Sequence, residues 1–307
     1  MPFHSGVSSQ RLSLIASIAP GLFVVLWSTG FIGAKLGLPY AEPFTFLAIR
    51  FTLVSLILGL VAWAVRVPWP DGFKEGAHIM VVGLMVHGVY LGGVFAGIKL
   101  GVSAGDSALI VGMQPILTAI FIGPMLAESV APRQWLGFLL GTTGVILVSL
   151  RYVGTFDSSF EGVLLCVLAV IAMSMGTLYQ KRYCSDMNLL SGSFLQFLAA
   201  TAMMWTLSFL LETQEVQWAG EFIFALTWLV VVLSLGAMTV LWLLVRANAA
   251  TQVASLFFLV PPVTALVAWP LFGETLDVKS VIGMGLVVCG VLLVRNTNRR
   301  EKKRSLA

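Results

Sequence analysis

The sequence predicts an all-α polytopic membrane protein with ten transmembrane helices arranged as two inverted five-helix repeats. Three observations predict it. The 307-residue chain is 58% hydrophobic and only 10% charged, with a mean hydropathy of +0.96, whereas a soluble domain carries about 25% charged residues. Its apolar runs are continuous over about 18–24 residues, the length of a membrane helix, where barrel strands alternate over about 10. The chain also repeats itself: at an offset of 146, residues 104–150 lie over 250–296 without a gap. Identical pairs include Ala104/Ala250, Pro115/Pro261, Thr118/Thr264, Pro124/Pro270, Glu128/Glu274, Gly137/Gly283 and Gly144/Gly290. Self-similarity at a fixed period marks a repeat architecture, and the same offset pairs Ser28 with Ser174, Gly30 with Gly176 and Lys35 with Lys181.

Charges and Pro/Gly turns bound each run in order. The first, near 14–34, lies between Arg11 and Lys35. The second, 43–65, opens at Glu42-Pro43 and closes at Arg66; the third, 77–98, lies between Lys74 and Lys99. The fourth, 104–126, starts beside Asp106 and ends before Ala127-Glu128, and the fifth, 133–150, runs from Arg133 to Arg151. The second half follows as 161–180, stopped by Lys181-Arg182, then 190–211 and 222–245, stopped by Arg246. It ends with 250–272, before Gly273-Glu274, and 278–295, which reaches Arg295 and a basic tail. The connections are short, so two units are expected, 1–155 and 156–307, with no inserted soluble domain. No cleavable signal is expected, because the first apolar run is too long and no small-residue site follows it.

Orientation follows from the Lys/Arg asymmetry. With the N-terminus inside, cytoplasmic segments hold 13 of the 18 basic residues and outside segments hold 4, with Arg50 inside a span. Both termini are therefore expected in the cytoplasm. Five spans per half is an odd number, so the halves run in opposite senses, and Glu128 and Glu274 fall at turns on opposite faces. Trading conformations between such halves converts an outward-open state into an inward-open one.

Residues in the spans suggest where a cargo path runs. Pro115 and Pro261-Pro262 occupy equivalent mid-membrane positions; proline removes a backbone donor and bends a helix, serving either packing or gating. His87 is the histidine at mid-span, Tyr90 shares its helical face, and Gly83 one turn back suggests open space beside them. An ionisable group at that depth faces the bundle interior or a water-filled cavity; the alternative is a hydrogen-bonded core histidine. Trp27 and Ser28, with their repeat mates Met173 and Ser174, and then Gln114, Tyr179 and Trp242, are further candidates for contact with a flat or amphipathic cargo. The expected path is lined by spans 1, 3, 4, 6, 8 and 9. Arg50 reads as a structural charge that reaches external water or pairs with Asp106, with carboxylate recognition as the alternative. Gly-x-x-x-Gly spacings in spans 3 and 5 permit close helix contact, within a monomer or between two.

Several chemistries find no support. There is no GxxxxGK[ST] motif, and Cys166, Cys184 and Cys289 form no metal or redox spacing. All fourteen carboxylates lie in loops or near span ends, which argues against an acidic proton relay. No cofactor, no metal and no catalytic residue are expected. The expected partners are a small-molecule substrate and the lipid bilayer, without nucleic acid; monomer or homodimer is left open.

Each half ends in a Pro … Ala/Gly-Glu … Gly … Gly-Val pattern: Pro115, Ala127-Glu128, Gly137 and Gly144-Val145, then Pro261, Gly273-Glu274, Gly283 and Gly290-Val291. With Trp27-Ser28-Thr29-Gly30 and Glu42-Pro43 … Arg50-Phe51, this resembles the EamA family of the drug/metabolite transporter superfamily. His87-Gly88-Val89-Tyr90 is also similar to the His-x-x-Tyr pair of YddG-type aromatic amino acid exporters. The resemblance implies a bacterial inner-membrane exporter of small metabolites, with aromatic or apolar amino acids first. The alternatives are other cargoes such as nucleobases or drugs, a channel, or an intramembrane enzyme using His87.

Overall fold

A computed structural model describes the backbone of residues 9–102, 104–149, 159–272 and 278–304, and the side chains of 18–102, 107–148, 159–267 and 278–294. The described residues form ten helical segments, α1 Ser9–Gly37, α2 Pro43–Ala64, α3 Phe73–Lys99, α4 104–126, α5 Pro132–Ser149, α6 Phe160–Tyr183, α7 Leu189–Leu211, α8 Gly220–Ala247, α9 250–272 and α10 Val278–Arg304. Eight are long and apolar enough to cross a bilayer, and α10 carries a shorter apolar stretch, Val278–Val294. α5 opens on Pro132-Arg133-Gln134-Trp135, which dilutes its hydropathy. The only β pairing among the described residues is an isolated bridge between Ala41 and Val216. The last helix does not stop near residue 295; it runs to Arg304, because Asn, Arg, Glu and Lys end an apolar run without breaking a helix.

Local chemistry sets the helix ends. Asn188 accepts from the Leu190 and Ser191 amides at the start of α7, and Ser159 accepts from Gly162 at the start of α6. α2 begins with Pro43, and the Glu212 carboxylate, just past α7, accepts from the Phe44 and Thr45 amides at 2.7 and 2.6 Å. A carboxylate there satisfies orphan donors and suits the positive end of the helix dipole. Glu42 returns the contact by accepting from the Thr213 amide and hydroxyl. α4 ends on Ala127 in the left-handed conformation at φ 54°, which turns the chain at Glu128.

Packing between helices follows the 146-residue offset. Ser28 Oγ donates to the Val24 carbonyl at 2.7 Å and the Val260 carbonyl at 3.3 Å. Its mate Ser174 donates to the equivalent Val170 and Gln114 carbonyls at 2.8 and 3.3 Å. Gly137 and Gly144 of α5 face Gly290 and Gly283 of α10 so closely that an added Cβ would lie 2.5–2.7 Å from the partner's carbonyl oxygen. Two residues that touch their own mates mark the axis itself. Ser55 and Thr201 hydroxyls are 3.3 Å apart, and the Phe51 and Phe197 rings are 5.6 Å apart. A pseudo-twofold thus passes between α2 and α7.

Both halves interrupt the same helices. α4 breaks at Gly112-Met113, ahead of Pro115, and α9 tightens into a 3-10 turn over Leu256–Leu259, ahead of Pro261. The prolines sit in the first turn after each break, where the missing N–H is no loss. α3 widens into a π-helical stretch over Leu84–Val89 and α8 over Leu229–Ala237; the offset lays one upon the other.

Candidate functional site

The widened turn of α3 centres the site. Gly83 stands just before it, and a side chain there would overlap the Gln196 backbone of α7. The open space suggested beside Gly83 is therefore filled by α7. This close approach seats the His87 ring on Phe197, stacked at 4.0 Å and 20°, with Phe51 at 6.1 Å on the edge. π-helical turns recur at functional sites because the extra residue redirects side chains out of the regular helical phase.

Next to His87 lies a cavity of about 40 Å³. α1 contributes Trp27, Gly30, Phe31 and Ala34; α2 contributes Arg50; α3 contributes His87, Tyr90, Leu91, Val94 and Phe95. α7 adds Phe197, and α8 adds Leu233 and Met238. Trp27 lies nearly parallel to Tyr90 at 6.4 Å and meets Phe257 edge-on at 5.3 Å, so one wall is a continuous aromatic surface. Gly30 lets α8 come in: a Cβ there would meet the Leu233 side chain at 2.6 Å.

Arg50 is 2% exposed, so it neither reaches external water nor snorkels. Its Nε donates to Ser234 Oγ at 3.0 Å, from the widened turn of α8, and its guanidinium carbon stands 5.7 Å from the Phe51 ring centre. Among the described residues Nη1 has no hydrogen-bond partner, and the two ring nitrogens of His87 make no well-formed hydrogen bond, with the Gln196 side chain beside them. The Asp106 side chain, the expected partner, lies outside the described residues. The cavity lining holds no carboxylate.

The other sequence candidates are dispersed. Trp27, His87 and Tyr90 meet at the cavity, whereas Ser28 and Ser174 turn to backbone carbonyls at the α9 and α4 breaks. Gln114 is buried at the α4 break, with Oε1 unpartnered among the described residues. Tyr179 bonds His78 Nδ1 at 2.6 Å near the end of α6, and Trp242 is buried in α8 with Nε1 unpartnered among the described residues; neither lines the cavity. Of the helices expected to line the path, α4, α6 and α9 stay behind the wall, and α2 and α7 take their place. Glu128 lies 4.0 Å from Lys181, which also donates to the Asn248 carbonyl. Glu274 is outside the described residues. Phe197 and Phe51 were within reach of sequence reasoning, since they are an identical pair at the repeat offset.

On the other side of α3 a groove of about 540 Å³ runs over Gly88, Gly92 and Gly93 toward Lys99. Glu42 and Glu212 at its rim are the carboxylates that tie α2 to α7.

Two opposed halves that close a shared cavity inside a membrane bundle are the architecture of a secondary transporter. A family model described as the EamA-like transporter family matches residues 14–150 and again 160–296. The uncharacterized transporter YvbV of Bacillus subtilis is 28% identical, over 91% of each chain. The uncharacterized inner membrane transporter YedA of Escherichia coli K12 is 23% identical, over 88% of this chain and 87% of its own. A solved crystal structure, 20% identical, superposes with a TM-score of 0.75 over 93% of this chain and 98% of that one, which speaks to fold alone. The chain belongs to the EamA-like transporter family, within the drug/metabolite transporter superfamily.

Proposed function

We propose that this transporter exports small organic metabolites, with aromatic or apolar amino acids as the first class, by alternating access between its two halves. The observation that carries the reading is the cavity beside the pseudo-twofold, walled by Trp27, Tyr90 and Phe197 and reached by Arg50 and His87, whose Nη1 and ring nitrogens make no well-formed hydrogen bond among the described residues. A ring or branched alkyl group suits the aromatic wall, the guanidinium suits a carboxylate, and a neutral imidazole offers one acceptor nitrogen to an ammonium. At about 40 Å³ the cavity is far below the roughly 300–1,000 Å³ of small-molecule sites, so the bundle opens to admit cargo. The paired breaks in α4 and α9 and the paired wide turns in α3 and α8 are the elements that let it open. We place the protein in a bacterial inner membrane with both termini cytoplasmic, and assign 1–155 and 156–307 as the moving halves.

The experiment is counterflow of labelled phenylalanine and leucine into liposomes holding the protein. Saturable uptake is expected, reduced by Trp27→Ala and His87→Ala at equal folded yield. Uptake that saturates with nucleobases or cationic drugs and not with amino acids refutes the cargo class. Linear uptake without counterflow refutes the carrier. An intramembrane enzyme has less support, because His87 is flanked by the Phe51 and Phe197 rings rather than by an orienting acid. Labelling of single cysteines at positions 128 and 274 tests the opposed halves, which require the two on opposite faces.

A further inference from the structure

We infer that Arg50 is the cargo anchor and selects for an ionised carboxylate, so that the carboxylate is obligatory and the amino group dispensable. The transporter then takes aromatic and apolar monocarboxylates as well as the corresponding amino acids. The inference rests on the reading of the central cavity as the cargo site.

The argument begins with charge. Arg50 is seven residues into α2, about 10 Å along its axis, and 2% exposed. A guanidinium taken out of water is tolerated when an opposite charge and a full set of hydrogen bonds compensate it. Here the compensation is partial. Ser234 accepts from Nε, Phe51 offers its ring, Nη1 has no protein partner, and no ion pair to Arg50 exists among the described residues. A planar donor fork facing a cavity without acids fits a carboxylate in two-pronged geometry.

The repeat sharpens the point. The mate of Arg50 is Gln196, so one half presents a fixed charge where the other presents an amide. Gln196 is held within its own half, its Nε2 donating to Gln180 Oε1 at 2.9 Å, and its side chain also lies beside His87. The widened turn of α8 carries Ser234, which holds the guanidinium, and the equivalent turn of α3 carries His87. The pair of irregular turns thus delivers one oriented cation and one polar ring to the same space. For an ammonium the cavity supplies only a ring nitrogen and the faces of Trp27 and Tyr90, with no counter-charge. Losing the ammonium therefore removes little, and losing the carboxylate leaves the buried guanidinium unanswered.

The test is ligand binding to the purified full chain in nanodiscs, by titration calorimetry, with four ligands of one ring: phenylalanine, 3-phenylpropionate, 3-phenylpropionamide and phenethylamine. Phenylalanine and 3-phenylpropionate are expected to bind within about tenfold of each other, and the amide and the amine at least roughly 100-fold more weakly. Arg50→Met is expected to abolish the preference for 3-phenylpropionate over its amide, and Arg50→Lys to retain part of it. Arg50→Met removes an unpaired buried charge, so the variant is expected to fold; the ligand series on the unsubstituted protein stands without it. Equal binding of acid and amide, or tight binding of phenethylamine, overturns the anchor and leaves the cavity as cargo site. Binding of none of the four overturns the cargo reading as well.

Discussion

The contact between α5 and α10 makes the sharpest stability prediction. Gly144 and Gly283 meet so that a Cβ on the first would lie 2.5 Å from the Gly283 carbonyl oxygen and one on the second 2.6 Å from that of Gly144. Carbon and oxygen rest at about 3.3 Å or more, so either alanine forces the helices apart by roughly 0.8 Å. Overpacking of this kind destabilises by about 1–3 kcal/mol, or about 2–6 °C at the roughly 2 °C per kcal/mol of larger domains. One separation relieves both clashes, so Gly144→Ala with Gly283→Ala is expected to lose clearly less than the sum of the single losses, a coupling typical of neighbours. Gly285→Ala is the control: nothing lies within 4 Å of its Cβ, and alanine is the better helix former. The assay is thermal unfolding in detergent of the four variants beside the unsubstituted chain. Strictly additive losses, or a Gly285→Ala loss as large as that of Gly144→Ala, refute the close crossing.

Three further outcomes are expected. Ala127→Gly stabilises the chain by about 1 kcal/mol, because φ 54° burdens a Cβ and not a glycine; a lower unfolding temperature contradicts the turn, and the repeat already has Gly273 at this position. Ser28→Ala and Ser174→Ala each lose about 0.6 kcal/mol, the average for hydrogen bonds between membrane helices, and the two losses match because the bonds do; one large and one negligible effect speaks against the symmetry. The Glu42 carboxyl is held below its usual range by the Thr213 amide, then by the Thr213 hydroxyl, against a small opposing effect of burial and with help from Lys99. That stabilisation is complete above the ordinary glutamate range and is lost as pH falls through the lower folded value. Glu42→Gln is thus expected to narrow the gap between unfolding temperatures at about pH 7 and about pH 3; an unchanged gap removes the link.

Much of this architecture is legible in the residues, and the boundary has a physical cause. The ten helices follow from apolar runs and the charges that end them, and the α4 and α9 breaks are flagged by Pro115 and Pro261. The wide turns of α3 and α8 leave no local trace in the sequence, and the α3 turn lies where that helix packs closely on α7 at Gly83 and Gln196. The cavity is legible in part. Trp27, His87 and Tyr90 carry chemistry that stands out against an apolar background. Arg50 stands out too, but its depth suggests escape to water or an acid, and only the fold shows it held by Ser234. Phe197 is hidden among 20 phenylalanines; the repeat offset that pairs it with Phe51 is the signal that isolates it.

Lying on or off the pseudo-twofold divides the residues into two kinds of lever on the alternating carrier proposed above. In that alternating-access reading, the axis exchanges the outward-facing and inward-facing forms, and Phe51, Phe197, Ser55 and Thr201, which touch their own mates, lie at the boundary between the moving halves. Changing them is then expected to alter chiefly how fast the forms interconvert. Gly30 and its mate Gly176 lie away from the axis, the first against Leu233 of α8 and the second against Val86 of α3. In the same reading, crowding one glycine is expected to tip the balance toward one face of the membrane, and crowding the other to tip it back.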